Sequence, residues 1–265
     1  MKIRANGIAT RYWEIGEGEP VVLIHGLADD HRAWRRVIGQ LMLDRRVIVY
    51  NLRGHGGTEL GEADGTLGQL GADLLFLCEA LKLSKPTLAG FSLGGTIAMR
   101  AALDAPDAVG SIALVATSSR VGRAAREWYA ERARLVESND PSLRATLDAD
   151  TADVYRVRPE EVEAGLQIRR SATADPRGYA NACRAMAALG ERPLDDELAA
   201  VVAPTVVLAG ELDQHCPPRA AEIIAARIDG SRLEVLAGCG HPLPVERPDE
   251  VAAAIREVSA PTAAR

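Results

Sequence analysis

The sequence predicts an α/β chain: a mostly parallel, twisted sheet with helices on both faces, opened by an antiparallel hairpin and interrupted by a helical insertion. Three observations carry that expectation. Short apolar runs rich in β-branched residues alternate with amphipathic stretches, several of the runs stop at a glycine, and the alternation lapses once, between about residues 120 and 198. Strand and helix alternating with short links predict a parallel sheet wound with right-handed crossovers.

Taken in order, MKIRA and IATRYWEI flank Asn6-Gly7, a dipeptide favoured in two-residue hairpin turns, so the two runs should pair antiparallel. PVVLIHG is apolar on both faces, as a doubly covered strand requires. Asp29 or Asp30 can then cap a helix that carries Trp34, Val37, Ile38 and Leu41 at helical spacing. RRVIVYN reads as a strand and Leu67–Leu81 as an amphipathic helix. KPTLAGF is another strand, Ser92–Leu103 a helix and VGSIALVAT a strand. The rhythm resumes with APTVVLAG, a helix over Pro217–Ile228, SRLEVLAG and a helix over Arg247–Val258. Residues 1–119 and 199–258 are therefore expected to form the core. Residues 120–198 have no apolar strand run and place Trp128, Tyr129, Tyr155 and Met186 at loose helical spacing, which suggests a helical lid. The last stretch, 259–265, reads as a flexible tail.

Composition narrows the function classes. The chain has 265 residues, 47% hydrophobic and 26% charged, which is ordinary for a globular protein with a sizeable core. A formal net charge of −6 without like-charge blocks argues against nucleic acid or an anionic membrane as partner. No apolar run approaches the roughly 20 residues of a membrane span. The N-terminal MKIRANGIATRYWEIGEGEP lacks the apolar region of a secretory signal, so a cytoplasmic location is expected. Cys78, Cys183, Cys216 and Cys239 lie far apart and read as free thiols. Cys216 and Cys239 each neighbour a histidine, His215 and His241, but the spacing matches no zinc signature, so no metal is expected. P-loop, dinucleotide and H-E-x-x-H motifs are absent as well, which leaves no expected cofactor.

The stretch LAGFSLGGTIAMR concentrates Gly90, Gly94 and Gly95 around Ser92 at a strand-to-helix junction. G-x-S-x-G in that context is a nucleophile elbow, a reversal so tight that the serine adopts a strained conformation and a Cβ at Gly90 or Gly94 would collide with neighbouring backbone. A plain N-cap serine after a glycine-rich turn is the competing reading. A serine hydroxyl needs a base to take its proton and an acid to orient that base. Two loops that follow later strands offer them: ELDQHCPP carries Asp213, and CGHPLPVERP carries His241. Both lie past the carboxyl ends of strands, the edge where open α/β sheets place their ligands. His215 is the rival base, but it stands two residues from Asp213 in one loop, which makes a relay to Ser92 awkward. Glu211 is the rival acid and lies nearer the strand. His25 and His55 sit in glycine-containing turns with packing roles expected, and His31 is expected to be solvated.

At these residues the chain resembles the α/β-hydrolase superfamily, and within it the lid-bearing serine hydrolases similar to 3-oxoadipate enol-lactonases. The matching pieces are HGLADDHRAW, YNLRGHGGT, GFSLGGTIA, LVATSSR followed by Trp128, AGELD and GCGHPLPVERP. The resemblance implies the α/β-hydrolase fold, the Ser–Asp–His order along the chain and an oxyanion hole made by the backbone N–H groups of Leu27 and Leu93. Asn51 stands where the family usually has Asp, and Thr58 lies near a usual Ser; both are expected to build a loop beside the site. The implied activity is hydrolysis of a small carboxylic ester or lactone through an acyl-enzyme, by a monomer or homodimer. C–C hydrolysis or perhydrolysis by the same triad, or ligand binding without catalysis, are the alternatives. Leu27, Trp34 and Phe91 are candidates for the floor of a substrate pocket and Trp128 for its roof, each with core packing as the other reading. Arg120, Arg123 and Arg126 either meet a substrate carboxylate or lie on a solvated helix face.

Overall fold

The computed structural model describes residues 1–259. Eight strands form one sheet: β1 (Lys2–Ala5), β2 (Ile8–Ile15), β3 (Glu19–Ile24), β4 (Arg45–Tyr50), β5 (Thr87–Phe91), β6 (Ser111–Val115), β7 (Thr205–Gly210) and β8 (Arg232–Leu236), in the order β1-β2-β4-β3-β5-β6-β7-β8. β1 and β2 pair antiparallel across Asn6-Gly7, both at positive φ as a tight hairpin turn requires. β2 pairs antiparallel with β4, and every pairing from β4 through β8 is parallel. β3, β4, β6 and β8 stop one or two residues short of the apolar runs in the sequence, because the ladder ends where the chain turns, whereas β2, β5 and β7 end with theirs.

The alternation within each strand sorts side chains onto two cores. Val22, Ile24, Ile48, Tyr50, Leu88 and Leu114 face α2 (Leu67–Ala80) and α3 (Leu93–Asp104). Val21, Leu23, Val47, Val49, Ala89 and Ala113 face the opposite layer, which holds α1 (Arg35–Leu41) and α10 (Pro248–Val258). Parallel strands covered on both faces are necessarily apolar throughout, which is why these runs stood out.

Asp30, not Asp29, supplies the cap after β3: its Oδ1 accepts from the Arg32 amide at 2.9 Å, and a single 3-10 turn, His31–Trp34, leads into α1. Between β6 and β7 the chain builds four helices, α4 (Arg123–Glu137), α5 (Leu143–Val154), α6 (Val162–Ala172) and α7 (Arg177–Ala188). α8 (Pro218–Ala225) follows β7 and ends earlier than its apolar spacing predicts. A short helix, α9 (Leu243–Glu246), separates His241 from α10 and has no sequence signal of its own. Of the expected tail, residues 260–265 lie outside the described residues.

Candidate active site

Ser92 joins β5 to α3 at φ 53° and ψ −121°, a conformation that L-residues rarely hold. The turn is fixed on both sides. The Ser92 amide donates to Val115 O at 2.9 Å, and Ser92 O accepts from the Gly95 amide at 2.9 Å and from Thr117 Oγ1 at 2.6 Å. A Cβ on Gly90 would fall on the Gly94 carbonyl, and one on Gly94 would fall on the carbonyl of Ile24. Glycine at both positions is what lets β5, β3 and the start of α3 approach this closely.

Three loop residues converge there. His241 Nε2 lies 3.1 Å from Ser92 Oγ, and His241 Nδ1 lies 2.8 Å from Asp213 Oδ2. The other carboxylate oxygen of Asp213 accepts from the amides of His215 at 2.8 Å and Cys216 at 2.9 Å. Burial alone would raise the Asp213 carboxyl, but the facing His241 and the two backbone donors outweigh it and hold the group below the ordinary range. With Nδ1 against a carboxylate, the neutral imidazole carries its proton on Nδ1 and presents a bare Nε2 to the serine hydroxyl. His215, the rival base, points elsewhere: its Nε2 meets Asp153 at 3.2 Å, and burial pushes its pKa down to about 4. Glu211, the rival acid, accepts from the Gly238 amide at 2.8 Å.

The turn after β3 lies against the serine, since a Cβ on Gly26 would sit 3.2 Å from Ser92 Cβ. Asp29 N donates to Gly26 O at 3.3 Å and Ala28 holds φ 62°, the pattern of a type II turn with alanine where glycine is usual. Among the described residues the amides of Leu27 and Leu93 donate to no protein acceptor. Arg169, from α6, braces the turn from outside: Nη2 donates to Leu27 O at 3.1 Å, Nε to Asp29 Oδ1 at 3.2 Å, and Nη1 to Thr151 Oγ1 at 3.4 Å.

A cavity of about 380 Å³ opens above Ser92 and His241, with Leu27, Phe91, Trp128 and Tyr129 on its walls. The Phe91 ring lies 5.1 Å from the His241 ring, and the Arg132 guanidinium stacks 4.4 Å over Trp128. Trp34 does not reach this space. It is fully buried with Ala33, Val37 and Leu41 beneath the other face of the sheet, because the 3-10 turn that carries it packs into that layer rather than over the strand ends. The three arginines at the start of the insertion also miss the cavity. Arg120 is paired with Asp195, Arg126 with Glu191 at 3.1 Å, and Arg123 is exposed, since α4 turns Ala124, Ala125 and Trp128 inward.

The remaining histidines and the two family departures build the surrounding loops. His25 Nδ1 donates to Gly26 O at 2.8 Å and its Nε2 accepts from the Leu52 amide at 2.9 Å; burial pushes it down to about 4. His55 is fully buried and likewise pushed down to about 4. His31 is only partly solvated: its side chain is 24% exposed, and its ring stacks on Trp13 at 3.5 Å. Asn51 Oδ1 accepts from the His31 amide at 2.8 Å while its Nδ2 donates to Gly56 O at 2.8 Å, and Thr58 Oγ1 donates to Asn51 O at 2.8 Å. All four cysteines are free.

Sequence reasoning missed Arg169, Tyr179, Asp150 and Asp153, all of which line the cavity. A signal existed for the first. Arg169 shares a helical stripe with the buried Gly165, Ile168 and Ala172, and a charge on an apolar stripe needs a buried partner. That partner, Asp29, is 140 residues away in sequence.

Comparisons with known proteins identify the fold. A family model described as the alpha/beta hydrolase fold matches residues 19–248. The curated 3-oxoadipate enol-lactonase 1 of Acinetobacter baylyi is 28% identical over 235 residues, covering 87% of this chain and 84% of its own. The solved enol-lactonase of Burkholderia xenovorans LB400 superposes with a TM-score of 0.87 at 26% identity, over 97% of this chain and 99% of that chain. A thermophilic esterase from Thermogutta terrifontis gives 0.83 at 31% identity, over 97% and 96%. The family match spans strands β3 to β8 and every loop that meets above Ser92, and the chain belongs to the α/β-hydrolase family.

Proposed function

We propose that this protein is a serine hydrolase of small carboxylic esters or lactones that works through an acyl-enzyme. The observation that carries the reading is the unbroken relay from Ser92 Oγ through His241 to Asp213, with each contact at hydrogen-bond distance. In the proposed reaction Ser92 Oγ attacks the substrate carbonyl as its proton passes to His241 Nε2, and Asp213 orients the imidazole and favours its charged form. The amides of Leu27 and Leu93 receive the developing oxyanion, a role worth roughly 3–4 kcal/mol per donor. His241 then returns the proton to the leaving oxygen, and water repeats the sequence on the acyl group. Helices α4–α7 act as the lid, Leu27 and Phe91 line the floor and Trp128 the roof. The enol-lactonase and esterase relatives support the ester or lactone class.

Turnover of p-nitrophenyl acetate by the wild type and by Ser92→Ala tests the proposal. The substitution should lower kcat by about 10⁴-fold or more, the order seen when one member of such a triad is removed. Activity retained in the variant would reject Ser92 as nucleophile. A wild type that binds ligands but hydrolyses no ester would favour a binding protein on this fold.

A further inference from the structure

We propose that the cavity selects uncharged acyl groups and turns away substrates that carry a carboxylate. The inference rests on the hydrolase reading and names its substrate class. Among the described residues, Arg169 is the sole arginine or lysine on the cavity wall, whereas Asp29, Asp150 and Asp153 all line it. Arg169 is already engaged by Asp29, by the Leu27 carbonyl and by Thr151, so a substrate carboxylate would have to break a buried ion pair to reach it. Asp150 is held by Arg132, whose Nη2 lies 2.7 Å away, and that guanidinium is further occupied by the Trp128 ring. These two pairs cancel.

Asp153 is paired more loosely, at the exposed rim. Its nearest partner on the wall, the His215 ring at 3.2 Å, is neutral at pH 7 because burial holds its pKa near 4. The other, Arg156 at 3.4 Å, is less exposed than Asp153 itself, 35% against 54%, and solvent screens both charges. A carboxylate entering the cavity therefore leaves water for apolar walls, finds no free donor cation and passes a weakly paired, solvent-screened Asp153 at the rim. An uncharged acyl chain loses nothing comparable and gains contact with Leu27, Leu147 and Val154.

The experiment compares p-nitrophenyl butyrate with mono-p-nitrophenyl succinate, similar in length and differing by one carboxylate. The neutral ester should have kcat/KM about 10-fold or more above the anionic one at low salt. Added salt and Asp153→Asn, an exposed site, should each narrow that ratio about threefold. Equal or reversed preference, or a ratio that neither salt nor Asp153→Asn moves, overturns the proposal. Titrating Ser92→Ala with both esters, followed by tryptophan fluorescence, reads the same preference as a ratio of Kd values without turnover. A wild type that hydrolyses neither ester thus sinks the hydrolase reading, while the Kd ratio still decides the charge preference.

Discussion

Replacing Arg169 with methionine isolates the brace between helix α6 and the turn beside Ser92. Methionine keeps an unbranched apolar stem, so little volume is lost and the change is mainly electrostatic. Three hydrogen bonds disappear, and Asp29, with only 5% of its side chain exposed, keeps a charge with no partner. Removing one member of a buried pair typically costs about 3–5 kcal/mol, a large share of the roughly 5–15 kcal/mol that stabilises a domain. Neutralising the stranded charge should return much of this, so Arg169→Met with Asp29→Asn should lose only about 1–2 kcal/mol, the value of the remaining hydrogen bonds. Urea unfolding of the four proteins of this double-mutant cycle, extrapolated to water, gives the numbers. The same variants assayed on p-nitrophenyl acetate should show kcat lowered with KM little changed, because the turn that presents the Leu27 amide is held with Ala28 at positive φ and loosens once the brace is gone. A single-variant loss under about 1 kcal/mol, or no recovery in the double variant, would refute the brace as a buried electrostatic tie.

Two further outcomes are expected. His25 and His55 are buried and His215 half-buried, and all three are neutral, each with its pKa near 4 in the fold against 6.5 when unfolded. Between those values the unfolded chain binds protons that the folded chain does not, so stability is full above about pH 6.5 and falls as the pH drops toward 4, with a slope of up to about 4 kcal/mol per pH unit for three protons; denaturant midpoints that stay flat across that window would contradict the neutral assignment. Trp34→Ala should cost about 3–5 kcal/mol of stability while leaving KM for a small ester unchanged, whereas Trp128→Ala should change KM at smaller cost; the reverse pattern in paired melting and kinetic measurements would put Trp34 at the cavity instead.

The sequence by itself determined the sheet, because strands covered on both faces must be continuously apolar, and runs such as PVVLIHG and APTVVLAG are short, rich in β-branched residues and closed by glycine, as such strands are. It also pointed to Ser92, Asp213 and His241, since glycines at a strand-to-helix reversal and polar residues just past strand ends are local features that a linear reading can find. The cavity wall was a different matter. Trp34 and Trp128 both read as large apolar residues at helical spacing, and only the packing of their helices put one under the sheet and the other over the site. Arg120, Arg123 and Arg126 looked available until their partners or exposure were known, while Arg169, which does reach the site, meets an aspartate far off in the chain. Periodicity and turn chemistry are written in neighbouring residues. Which charge is cancelled, and which face of a helix looks inward, depends on elements brought together from distant parts of the chain, so only the tertiary structure decided them.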